Sequence, residues 1–100
     1  MIRVPTHRAP THPGEMLLEE FLVPINLPIQ ELAAAIHVST IDIQTIVQQQ
    51  QAITPNLALR LAKYFDTSVD FWMNLQLRWD LYHALNAEAE ALSRIQPRSA

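Results

Sequence analysis

Leu32-Ala33-Ala34-Ala35-Ile36-His37-Val38-Ser39-Thr40-Ile41-Asp42-Ile43-Gln44-Thr45-Ile46-Val47-Gln48-Gln49-Gln50-Gln51-Ala52-Ile53-Thr54 is the stretch that decides the fold. Leu32, Ala33 and Ile36 supply one apolar face, Val38 fills a short break, and Ile43, Ile46 and Val47 supply a second face. Apolar positions at i, i+3 and i+4, shifted across a three-residue break, are the pattern of two helices packed at an angle. The segment reads as a helix-turn-helix. Between Arg8 and Arg60 the chain has no lysine or arginine at all, which sits badly with the usual partner of such a unit.

The rest of the composition narrows the class. One hundred residues suggest one domain, large enough to bury a single core without staples. With no cysteine there is neither a disulfide framework nor a thiolate metal site. One glycine and 49% hydrophobic residues favour helices with tight connections. No apolar run is long enough to span a bilayer, and the first residues lack the apolar stretch of a secretory signal, so a cytoplasmic protein is expected. A net charge of -3 argues against a nonspecific polyanion partner.

Outward from the centre, the helix boundaries are marked by capping residues. Residues 1–11, with Arg3, His7 and Arg8, are expected to form a flexible arm. His12-Pro13-Gly14-Glu15 opens the first helix, with proline in its first turn and Glu15 at the positive end, and Pro24 closes it. The second helix is expected over 28–36. His37 stands at the turn, where a left-handed backbone usually calls for glycine. Ser39 caps the third helix, with Asp42 placed as a capping-box partner, and that helix is expected to reach 48 or 50. Thr54-Pro55 opens the fourth, and Ser68 opens a fifth over 69–92 with the stripe Phe71, Trp72, Leu75, Trp79 as core or dimer contact. Residues 12–92 form one domain, and 93–100 are expected to be a disordered tail. The four histidines lack metal-ligand spacing and no nucleophile–base–carboxylate set is evident, so no enzyme, metal or cofactor is expected.

At His12-Pro13-Gly14-Glu15, Ile53-Thr54-Pro55, Ala58-Leu59-Arg60-Leu61-Ala62 and Phe71-Trp72-Met73-Asn74-Leu75-Gln76 the chain resembles the HigA-type antitoxins, helix-turn-helix proteins of the phage-repressor class. The resemblance covers residues 12–85. It implies an all-α, five-helix, lambda-repressor-like fold and a homodimer. It also implies neutralisation of an mRNA-cleaving, RelE-like toxin and repression of the antitoxin's own operon through DNA. The centre departs from the family pattern: Ile41 and Asp42 stand where basic or polar residues are usual, Gln49-Gln50-Gln51-Ala52 replaces a glycine-and-basic loop, and His37 replaces the turn glycine.

Duplex affinity comes largely from cations on phosphates. Residues 9–59 carry Glu15, Glu19, Glu20, Glu31 and Asp42 with no lysine or arginine, and Asp42 is expected to point at the duplex. The expectation is therefore against duplex DNA. In its place, Ile29, Ala34, Ala35, Ile41, Thr45 and Gln48, with Val23 and Ile25 nearby, would form an apolar, glutamine-rimmed contact through which copies of the chain assemble into a homo-oligomer. Such a surface fits either a redesigned antitoxin scaffold or a divergent natural one. The alternative keeps DNA binding and places base contacts on Thr40, Gln44, Thr45 and Gln48.

Overall fold

The computed structural model describes residues 9–98, which are helical with no strand among them. Helix α1 (Pro13–Met16) runs without interruption into a π-helical segment, Leu17–Leu22. The remaining helices are α2 (Ile29–Ala35), α3 (Thr40–Val47), α4 (Pro55–Phe65) and α5 (Val69–Ser93). This is the five-helix, all-α order that the sequence predicts. Residues 1–8 of the expected arm lie outside the described residues, and 9–11 take no regular structure.

Every helix start but that of α2, which follows Pro28, is capped by a side chain that accepts from a first-turn amide. Ser39 Oγ accepts from Ile41 N (3.2 Å), Thr54 Oγ1 from Leu57 N (3.3 Å) and Ser68 Oγ from Phe71 N (3.0 Å). Ser39 thus caps α3 without the reciprocal bond expected from Asp42. The ends are made without glycine: Asn26, His37, Gln49 and Asp66 all have φ between 53° and 62°. The left-handed turn expected at His37 is present. Gln49 does the same work after α3, so that helix ends at Val47 and not at 50.

Leu17, Leu32, Ile43, Ile46, Leu61 and Trp72 are fully buried in one core that all five helices share. Burying each such side chain contributes roughly 1.5–3 kcal/mol. Phe21 packs at 4.9 Å from both Phe65 and Trp72, and Trp72 Nε1 donates to Thr67 Oγ1 at 2.8 Å. The indole is therefore both packed and hydrogen-bonded. Beyond Trp79, α5 projects: every residue from His83 to Ser93 is exposed.

Candidate nucleic-acid interface

The buried side of α3 is built from Ile43 and Ile46, with Val47 half-buried beside them. At about 100° per residue, the opposite side carries Ile41, Gln44, Thr45 and Gln48. Ile41 is 68% exposed, Thr40, Gln44 and Gln48 are exposed, and Thr45 is half-buried. Ala34 and Ala35 of α2 are also exposed, as are Val23 and Ile25. Ile29 is less open than expected: it is half-buried and packs on the core, while lining a shallow depression with Val23 and Leu27. Asp42 departs from expectation too. It lies about a quarter-turn from Ile41 and lines a small depression with Val38, Thr54, Asn56 and Arg60. It stands on the α4-facing flank of α3 and is itself exposed.

The α3–α4 connection is ordered by its own hydrogen bonds. Gln49 N donates to Ile46 O and Gln50 N to Thr45 O, each at 2.9 Å. Thr45 Oγ1 lies 2.6 Å from Gln51 Oε1 and within bonding distance of the Ile41 and Asp42 carbonyls. At Ile53, buried at the far end of the connection, the amide donates to Gln76 Oε1 of α5 at 2.8 Å.

Arg60 Nη1 donates to the Ile36 carbonyl at the end of α2 (2.8 Å), which ties α4 to the turn of the motif. Arg60 and Lys63 line an open groove of about 570 Å³ with Ala35, His37, Leu59 and Tyr64. These two are the cations that the sequence places between Arg8 and Arg78.

Sequence reasoning gave His12 and Gly14 only the start of a helix. His12 is buried and caps α1 by its ring: Nδ1 accepts from Gly14 N at 2.9 Å. Its imidazole meets Trp79 edge-on at 4.7 Å. Burial holds its pKa below the ordinary 6.5, against the opposite pull of the Asp80 and Glu15 carboxylates. Gly14 lies against α3 so closely that a Cβ would stand 1.7 Å from the Ile46 carbonyl oxygen. On the α5 stripe Trp72 is in the core, Phe71 and Leu75 pack against it half-buried, and Trp79 covers His12. Among the described residues no three His, Asp or Glu side chains gather as metal ligands would. No helix there is long and apolar enough to cross a membrane.

No family model matches the chain. It is 44% identical over 91 residues to the helix-turn-helix-type transcriptional regulator YbaQ of Escherichia coli K12, covering 89% of this chain and 80% of that one. It is 30% identical over 92 residues to antitoxin HigA-1 of Vibrio cholerae, covering 92% of this chain and 87% of that protein. The chain belongs to the HigA-type helix-turn-helix family. Among solved structures, Pseudomonas aeruginosa antitoxin HigA with the higBA promoter superposes at a TM-score of 0.86 and 41% identity. The match covers 90% of this chain and 99% of that one. These HigA-type relatives are regulators and antitoxins, and the chain, as a family member, is not an enzyme.

Proposed function

We propose that this HigA-type chain is an antitoxin and operator-binding regulator that presents α3 to duplex DNA. The observation that carries the reading is the retained helix-turn-helix frame. Its α2–α3 turn at His37 is left-handed, its core side is closed, and Thr40, Gln44 and Gln48 stand free on the outer side. A HigA of the same fold is held with its promoter at 41% identity. That kinship outweighs the missing cations, on which the expectation against duplex DNA rested. Glutamine matches the adenine edge in the major groove, so Gln44 and Gln48 are the assigned base readers, with Thr40 and Thr45 beside them. Arg60 and Lys63 lie on the α4 flank, and the arm supplies Arg3 and Arg8. Neutralisation of a RelE-like toxin belongs to the same reading, supported by the Vibrio cholerae antitoxin.

The test is fluorescence anisotropy with duplex from upstream of the chain's own coding region, at 50 and 200 mM salt, against a scrambled duplex. Specific binding that weakens with salt is expected. No specific binding at 50 mM salt would defeat the DNA half of the reading.

One observation favours a second reading, assembly through the same face. Ile41 is two-thirds exposed, and Ala34 and Ala35 of the neighbouring α2 are exposed as well. An uncovered isoleucine among small residues suits contact with another copy, whether the surface arose by design or divergence. Thr45 and Gln48 would lie at its rim. A fifth-helix dimer through the exposed end of α5 would add a second contact and allow a closed higher oligomer. Light scattering at several concentrations separates the cases: nothing larger than a dimer excludes this second contact.

A further inference from the structure

Gln76 is a buried amide on the α5 stripe, 5% exposed, beside Trp72 and Leu75. A leucine there would suit the core without the cost of desolvating an amide. Both ends of the glutamine are in use. Oε1 accepts from Ile53 N at 2.8 Å, across 23 residues of sequence, and Nε2 donates to Asp80 Oδ1 at 2.9 Å. Asp80 thus orients the amide so that its oxygen, not its nitrogen, faces Ile53. Ile53 closes the connection that leaves α3, and the other end of that connection is pinned to the α3 carbonyls by Gln49 N and Gln50 N.

We propose that Gln76, oriented by Asp80, is a positioning residue for duplex binding. It fixes the far anchor of the Gln48–Ala52 connection and so sets how the end of the recognition helix meets the DNA. The inference rests on the operator reading above. Without the amide oxygen, Ile53 N is a buried donor with nothing to meet, and the connection relaxes toward water to satisfy it. The core does not depend on this bond in the same way, because Trp72, Leu61 and Ile46 stay enclosed by apolar neighbours.

The experiment compares the full chain, Gln76→Leu, and Gln76→Glu combined with Asp80→Asn. The double variant keeps an acceptor for Ile53 and reverses the bond to position 80. Amide hydrogen exchange is read at Ile53 and Gln49–Gln51, with Leu61 and Trp72 as core reporters. Affinity is read with the upstream duplex at a temperature where circular dichroism shows each protein folded. In Gln76→Leu the Ile53 amide is expected to exchange about tenfold faster relative to Leu61, with duplex affinity about tenfold weaker, as the loss of one buried partner implies. The double variant is expected to recover most of both. Equal acceleration at Ile53 and Leu61 would reduce Gln76 to general stability and overturn the inference. So would unchanged affinity in Gln76→Leu while the wild type binds. A wild type that holds no duplex overturns the operator reading and this inference with it.

Discussion

Gly14→Ala tests the seat of the recognition helix with a single methyl group. Gly14 lies in α1 with ordinary helical backbone, so nothing about its φ requires glycine. Helix propensity alone would favour alanine by up to about 1 kcal/mol. Space decides otherwise. The added Cβ would lie 1.7 Å from Ile46 O and 2.6 Å from Ile46 C, both backbone atoms of α3. Close C···O contacts stop at about 3.3 Å, so α1 and α3 must part by roughly 1.6 Å along that line. No side-chain rotamer relieves the overlap, because the obstacle is the helix itself. Overpacking of this kind costs roughly 1–3 kcal/mol and occasionally more, and backbone against backbone belongs at the upper end. After the propensity gain the expected net loss is about 2 kcal/mol, a drop in melting temperature of roughly 8–16 °C for a domain of this size. Thermal melts of the two proteins by circular dichroism, at equal concentration and pH 7.5, measure it. A melting temperature equal to or above the wild type would mean that α1 does not bear on Ile46, and would refute the packing argument.

The other expectations can be stated together. His12 is held neutral by burial with its pKa lowered from 6.5, so on acidification the unfolded chain takes up the proton first. The stability from the neutral ring is complete above the unfolded value and is lost as pH falls below about 6.5. Melting temperature should fall between pH 7.5 and 5.5, and His12→Asn, which keeps a capping side chain, should flatten the pH dependence after an initial loss. Ile41→Arg places a cation on the outer face of α3: duplex affinity should rise, and its salt dependence should steepen by nearly one counterion, whereas the assembly reading predicts smaller particles in light scattering. Because α3 carries no cation, the wild-type slope of log affinity against log salt should be shallow, of magnitude about 2–4, as few phosphates are neutralised; a slope near 8 in the same titration would contradict the assignment of contacts. Thr67→Val removes the acceptor of the buried Trp72 Nε1 and should cost about 1–3 kcal/mol in a urea melt, the cost of stranding one buried donor.

What could be read from the sequence was what is local. Leu32, Ala33 and Ile36, then Ile43, Ile46 and Val47, announced the two packed helices, and they line the core where they were expected. Ser39, Thr54 and Ser68 announced helix starts because a cap acts over two or three residues. The errors have a different physical origin. Ile29 is spare by periodicity, yet it is half-covered by the core, and periodicity on one helix does not show what a neighbour covers. Asp42 is in the first turn of α3, but its side faces α4, which only the crossing of helices decides. The bond from Ile53 to Gln76 joins residues 23 apart, and no local rule reaches that far. The glutamine run hid a helix end because Gln49 takes the left-handed conformation without being glycine.

Two of the motifs that carry the family resemblance bear on α3 and on the connection that leaves it. Gly14, from the first motif, lies against the Ile46 carbonyl of α3, and Gln76, from the last, holds Ile53 where the connection from α3 arrives. The first bears on Asp80 through the field at His12, and the second is oriented by that same carboxylate. Neither grip touches Thr40, Ile41, Gln44 or Gln48. The contacts that seat α3 are therefore physically separate from the side chains exposed on its outer face. Substitution on the outer face changes the chemistry of recognition at little cost to the fold, while substitution in either motif disturbs the aim of the helix whatever that face carries. This separation lets a chain keep the buried half of a helix-turn-helix unit while its outer face carries amides, hydroxyls and one bare isoleucine. On the operator reading proposed above, specificity would rest on Gln44 and Gln48, and the geometry of presentation on Gly14 and Gln76.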